Sequence, residues 1–147
     1  MKISTRTRYG VRLMLSLALN EDTSPRDLGR IAASEEMSEK YLSQIIIPLK
    51  TAGLVTTVRG ARGGYYLSRP ASEITLKDIV EAIEGKISLV DCVSAPDLCG
   101  RNTRCVTREV WDGLGNCIGE YLSSWTLEKL ASEYREKNDS AADSYSI

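Results

Sequence analysis

Apolar residues recur three and four positions apart through most of the chain, and one stretch alternates instead. The first helical pattern runs from about Thr5 to Leu19. Tyr9, Leu13 and Leu17, widened by Val11, Met14 and Ala18, form one apolar face, and Asn20, Glu21 and Asp22 close it. Ser24-Pro25-Arg26-Asp27 then has the chemistry of a helix start. Ser24 is the expected cap, Pro25 suits the first helical position, and Asp27 complements the dipole of a short helix buried through Leu28, Ile31 and Ala32. Ser34 to Met37 turns the chain, and Ser38 caps a third helix with Glu39 in its first turn. Leu42, Ile45, Ile46 and Leu49 face a core, while Lys40, Tyr41, Ser43 and Gln44 make a polar face. Pro48 lacks a backbone donor and is expected to kink the last turn before Gly53 ends the helix.

Leu54 to Val58 is the alternating stretch, rich in β-branched residues. Arg59 to Gly64 is Gly- and Arg-rich, and Tyr65 to Leu67 resumes the strand pattern, giving a β-hairpin with a basic tip. Three helices with a tight second turn, followed by such a hairpin, make a winged helix-turn-helix. Further on, Thr75 caps a helix buried through Leu76, Ile79, Val80 and Ile83 and ended by Gly85. A long helical pattern follows from about Thr107 to Ser123 or Ser124, with Val110, Trp111, Leu114, Cys117, Ile118, Tyr121 and Leu122 on its stripe. Thr126 caps a last helix, expected to bury Leu127, Leu130, Ala131 and Tyr134. Asn138 to Ile147 is small, polar and expected to be disordered. The fold class is mainly α with a small β-hairpin: a winged helix-turn-helix region (1–84), a cysteine-bearing loop (85–106), a long helix with the C-terminal helix (107–136) and a tail (137–147).

Charge sharpens this division. The net charge of -1 conceals a basic first half, with 11 Lys/Arg against 6 Asp/Glu in residues 1–70, and an acidic second half, with 8 against 14. A basic half is the footprint of a phosphate-binding surface. Gln44 at the start of the third helix can pair with adenine, and Ser38, Lys40, Tyr41 and Ser43 can reach base edges or phosphates. Arg59 and Arg62 suit a narrow minor groove, with Gly60 and Gly63 letting backbone approach phosphate; Lys2, Arg6 and Arg8 would neutralise flanking phosphates. Double-stranded DNA is the expected partner.

The chain has no His and no Phe. Ser-His-Asp chemistry is thereby excluded, and without C-x-x-C or a βαβ pattern no enzyme is expected. No apolar run approaches a membrane span, and MKISTRTRYG carries no hydrophobic leader, so a cytosolic setting with reduced thiols and no membrane partner is expected. Cys92, Cys99 and Cys105 are spaced C-x6-C-x5-C in a segment with Pro96, Gly100 and Asn102, which has the composition of a loop rather than a helix or strand. Three sulfurs do not close a tetrahedral zinc site, whereas thiolates suit iron–sulfur clusters or direct redox sensing. Asp91, Asp97, Glu109 and Cys117 are candidate fourth ligands, although Cys117 falls on an apolar stripe and has the position of a core residue. The apolar face of the long helix fits either its own domain or a second chain.

MKISTRTRYG, LSQIIIPLKTAGLVTTVRGARGGYYL, ITLKDIVEAIEG and the three-cysteine loop together resemble the IscR-type regulators, a superfamily of winged helix-turn-helix transcription factors that also includes NsrR and CymR. The resemblance covers about residues 1–135, and VRGARGGY is its most specific part. It implies a homodimer joined by the long helix, and an iron–sulfur cluster, 2Fe-2S in preference to 4Fe-4S, on Cys92, Cys99 and Cys105. The CymR-like alternative is a cluster-free regulator that responds through thiol oxidation or a partner protein. The chain departs from the IscR pattern at Arg108, where a His ligand would stand, and from the NsrR pattern at Arg8, where an acidic ligand would stand. The fourth ligand and the direction of control stay open.

Overall fold

A computed structural model describes residues 2–20 and 24–144. Helix α1 (Thr5–Ala18) begins where the Ser4 hydroxyl accepts the Thr7 amide at 3.0 Å. The expected stop at Glu21 and Asp22 lies outside the described residues; α1 ends at Ala18, with Leu19 as its C-cap. Helix α2 is Leu28–Ser34, so the expected start at Ser24-Pro25 is corrected. Asp27 is the cap, accepting the Arg30 amide at 3.1 Å. The reason lies in Arg26, whose backbone pairs with Tyr65 through two hydrogen bonds of 2.8 and 2.9 Å. That pairing holds Pro25-Arg26 extended, in the geometry proline accepts outside a helix.

Glu36, at φ 54°, reverses the chain, and the Met37 amide donates to Ala32 at 2.8 Å. Helix α3 (Glu39–Thr51) is capped by Ser38 as expected and continues through Pro48, which sits in its last turn. Gly53, at φ 71°, ends it in the left-handed region that costs a side-chain-bearing residue most. Strands β1 (Val55–Val58) and β2 (Gly64–Leu67) pair antiparallel from Val55↔Leu67 to Val58↔Gly64. The Arg26 guanidinium donates to the Ser16 carbonyl at 2.9 Å and its hydroxyl at 3.1 Å, tying the hairpin approach to α1. Together α1–α3 and the hairpin form the winged helix-turn-helix.

Helix α4 (Leu76–Glu84) opens with a reciprocal capping box: the Thr75 hydroxyl accepts the Asp78 amide and the Asp78 carboxylate accepts the Thr75 amide. The core of the molecule is Leu13, Met14, Leu17, Ile31, Leu42, Ile45, Ile46, Leu49, Leu54, Ile74 and Ile79, joined by Leu127 of the last helix. Helix α7 (Leu127–Ser144) thus returns to the first half, with the Leu127 amide donating to Ile74 at 2.9 Å. Leu127 and Ala131 are buried, but Tyr134, expected inside, is exposed. Helix α7 carries the chain through Ser144, so residues 138–144 are helical where disorder was expected; 145–147 lie outside the described residues.

The cysteine segment is more ordered than its composition suggests. Helix α5 (Asp91–Ser94) is one turn closed by the Ala95 amide on Asp91 at 2.8 Å, and it contains Cys92. Two 3-10 turns follow, Pro96–Leu98 and Asn102–Arg104. Helix α6 (Val106–Ser123) then buries only Gly115 and Gly119. Val110 is 61% exposed and Tyr121 65%, and Trp111, Leu114 and Cys117 are exposed too. Cys117 is therefore not a core residue of the single chain, because the stripe it shares points away from the core. Among the described residues, no helix is long and apolar enough to cross a membrane.

Candidate nucleic-acid interface and cysteine segment

Helix α3 presents Ser38, Lys40, Ser43 and Gln44 at the surface because Leu42, Ile45, Ile46 and Leu49 are drawn inward. Two members of this face already have structural duties. Ser38 accepts the Tyr41 amide as the helix cap. Tyr41 is half-buried against Tyr9, edge to face, with ring centroids 5.8 Å apart. The Ser43 hydroxyl donates to the Lys40 carbonyl at 2.7 Å, which leaves its oxygen free to act as an acceptor. A groove of about 510 Å³ between α3 and the hairpin brings Ser43 together with Arg59, Gly60 and Gly63, with Lys50 and Glu39 also on its walls.

The hairpin tip shows why two glycines that look alike in sequence differ. A side chain at Gly63 would begin 2.2 Å from the Val58 carbonyl oxygen, so the closed tip itself requires glycine there. Gly60 adopts φ 115° with open space where a side chain would be, so there it is the backbone conformation, not crowding, that favours glycine. Arg62 lines a second hollow with Gly60 and Gly63, together with Arg26 and Arg30, which sequence reasoning passed over.

Ion pairs among the described residues include Arg12–Glu35 and Arg69–Asp78. Lys40, Arg59 and Arg62 stand at the surface without an acidic partner within ion-pair distance among the described residues. The N-terminal cations are placed differently. Lys2 lines a hollow together with Glu84 and with Ile118 and Leu122 of α6, Arg6 is the electrostatic neighbour of Glu84, and Arg8 donates to Thr5 at 3.0 Å. Glu84, at the end of α4, accepts hydrogen bonds from the Ser4 and Thr7 hydroxyls, which hold its carboxyl below the usual value, with Arg6 adding to the effect. This link between the start of α1 and the end of α4 carried no sequence signal, since the partners are far apart in the chain.

In the cysteine segment Cys92, Cys99 and Cys105 are half-buried free thiols. Cys105 occupies the cap position of α6. The Thr107 hydroxyl, at 3.2 Å, and then the Arg108 amide lower its thiol pKa, and the Arg108 charge adds to this. Arg108, which stands where a ligand would in IscR-type proteins, holds the segment instead: its Nε donates to the Cys92 carbonyl at 3.0 Å. The donors are thus of the right kind for an iron–sulfur group, soft and partly sheltered, with one thiolate favoured. In number they fall one short, and among the described residues no three Cys, Asp or Glu side chains are gathered where one metal ion could bind.

With this geometry in view, the relatives fit. Residues 3–133 match the family described as Rrf2, iron-dependent transcriptional regulator. The transcriptional regulator CymR of Bacillus subtilis (strain 168) is 41% identical over 132 residues, covering 90% of this chain and 91% of its own. The solved structure of CymR, the global cysteine regulator of B. subtilis, superimposes with a TM-score of 0.74 at 40% identity, covering 90% of this chain and 98% of that one. The structure of T. potens IscR does so with 0.75 at 36% identity, covering 93% and 90%. The chain therefore belongs to the Rrf2 family, a family of transcriptional regulators and not of enzymes.

Proposed function

We propose that the protein is a homodimeric, sequence-specific regulator of transcription in the cytoplasm, reading double-stranded DNA with α3 and the hairpin and sensing through Cys92, Cys99 and Cys105. The observation that carries the DNA reading is the groove that joins Ser43 of α3 to Arg59 and Gly60 of the hairpin, flanked by cations without carboxylate partners among the described residues. A recognition helix in the major groove with a basic wing on the neighbouring backbone uses these positions. Gln44 and Ser43 supply base-edge groups, Lys40 phosphate contacts, and Arg59 and Arg62 reach a minor groove. Lys2, Arg6 and Arg8 act on phosphates at the edge of the site. Two copies joined along the apolar face of α6 would place two reading heads on a two-fold symmetric operator.

For sensing, the reading we favour is an iron–sulfur cluster held by the three loop cysteines, 2Fe-2S in preference to 4Fe-4S. Such a group, when bound, supplies a redox-sensitive crosslink between separated thiolates. The chain prepares for it by favouring the Cys105 thiolate and by holding the Cys92 turn through Arg108. The segment must close further to bring the three sulfurs together, and its two ends are the C-terminus of α4 and the N-terminus of α6, the helices that join reading head and dimer face. A second reading, cluster-free sensing by thiol oxidation or a partner protein, is favoured by the ungathered thiols and by the lowered Cys105 pKa. Anaerobic purification with iron and sulfide analysis separates the two. Iron and sulfide lost on replacing any one loop cysteine, and kept in Cys117→Ala, support the cluster. Protein without iron after reconstitution, whose DNA affinity still changes on mild oxidation, supports the thiol reading.

A further inference from the structure

Three consecutive isoleucines end differently on α3. Ile45 and Ile46 are buried, and Ile47 is 60% exposed. Ile47 lies on the exposed side of the helix with Lys40, Ser43 and Gln44, because positions separated by three, four and seven residues share a face. The hydroxyls beside it are turned onto backbone: Ser43 donates to the Lys40 carbonyl and Thr51 to the Ile47 carbonyl at 3.0 Å. At that point of a polar, basic face, the surface therefore offers a branched hydrocarbon.

We propose that Ile47 is a specificity-determining residue that packs against the 5-methyl group of a thymine in the major groove. This rests on α3 being the DNA-reading helix. Among major-groove edges the thymine methyl is the apolar feature, and an aliphatic side chain distinguishes it from cytosine without a hydrogen bond. Ile47 lies three residues beyond Gln44, a rise of about 4.5 Å along the helix. That is close to one base-pair step of about 3.4 Å, which places the thymine next to the pair that Gln44 reads. The exposed apolar residues of α6 form a stripe suited to a second chain; Ile47 belongs to α3 and not to that stripe, and one side chain is too small for a protein-docking patch.

The test uses duplexes selected by the full-length protein from a random pool. Each thymine is replaced in turn by deoxyuridine, which removes only the methyl group. Wild-type protein should lose about threefold to fivefold in affinity at one thymine per half-site, the effect of burying one methyl. Ile47→Ala should bind the thymine duplex that much more weakly and show no further loss with deoxyuridine there, and Ile47→Val should fall between. Additive losses in the Ile47→Ala series, or wild-type protein indifferent to every deoxyuridine, would overturn the assignment while leaving DNA reading intact. A pool that yields no preferred sequence would overturn the DNA reading and the assignment with it.

Discussion

Between α1 and α4 the apolar stripes are spent on one another: Leu13, Met14, Ile31, Leu42, Ile45, Leu49 and Ile79 are all fully buried or nearly so. In α6 much of the same kind of stripe faces outward, and the buried residues are two glycines, Gly115 and Gly119. The first region is a closed unit whose exposed face is polar and basic. The second is a helix with apolar surface left over, preceded by a segment of single turns with three thiols. The contrast assigns labour. Under the proposed function, a closed core would hold the geometry of a DNA-reading face, while unspent surface and short turns would supply what assembly and sensing require, namely a partner to bind and a segment able to rearrange.

The largest effect should come from opening the closed unit. Leu13→Ala, at a fully buried site, should cost about 2–5 kcal/mol of unfolding free energy by denaturant titration, whereas Leu98→Ala, in the exposed cysteine segment, should change it by no more than about 0.5 kcal/mol. Equal costs at the two sites would remove the contrast. Next, Leu114→Glu puts a charge in the middle of the α6 stripe. Sedimentation should show a monomer, with operator affinity about a hundredfold weaker, since burying an unpaired charge costs several kcal/mol. An unchanged dimer would mean the stripe is covered in another way.

Arg59→Ala should weaken binding to any duplex about tenfold and reduce the salt dependence by about one released counterion, without changing which sequence is preferred. In the cysteine segment, the lowered Cys105 pKa means more thiolate at neutral pH, so Cys105 should be alkylated faster than Cys99, and faster as pH rises. Thr107→Val should slow it severalfold. The smallest effect belongs to Glu84, whose folded pKa is lowered by the Ser4 and Thr7 hydroxyls. Its contribution is complete above the unfolded carboxylate value of about 4.3 and is lost as pH falls through the lower folded value. Glu84→Gln should cost less than about 1 kcal/mol at neutral pH, given its exposure, with the difference vanishing in acid.

Much of the reading half was legible because its signals are local. Ser38, Thr75, Gly53 and Gly85 mark helix ends by their own chemistry, and the Leu42–Leu49 stripe fixes which side of α3 is outside. The misplaced start of α2 shows the limit: Pro25 in front of Asp27 suits a helix, but pairing of Arg26 with Tyr65 decides otherwise, and that partner is distant in sequence. Distance also hid the Glu84 link to Ser4 and Thr7 and the Arg26 tie to Ser16. Gly60 and Gly63 could not be separated without knowing where the Val58 carbonyl lies. The cysteine segment was readable as chemistry and not as shape. Its Pro, Gly and Asn content signalled a loop, yet single turns formed around Asp91 and Pro96. Ile47 falls outside the Leu42–Leu49 stripe, so its exposure was legible; its role was not, because a single apolar residue on a polar face carries no chemical signal of its own.

The most direct test is to measure affinity for a selected duplex, anaerobically, with one preparation reconstituted with iron and sulfide, before and after chelation. A change of at least about tenfold in either direction is expected, absent when Cys92, Cys99 and Cys105 are all replaced by Ala. Equal affinities in the two states, or the same change in the triple variant, would contradict the cluster reading.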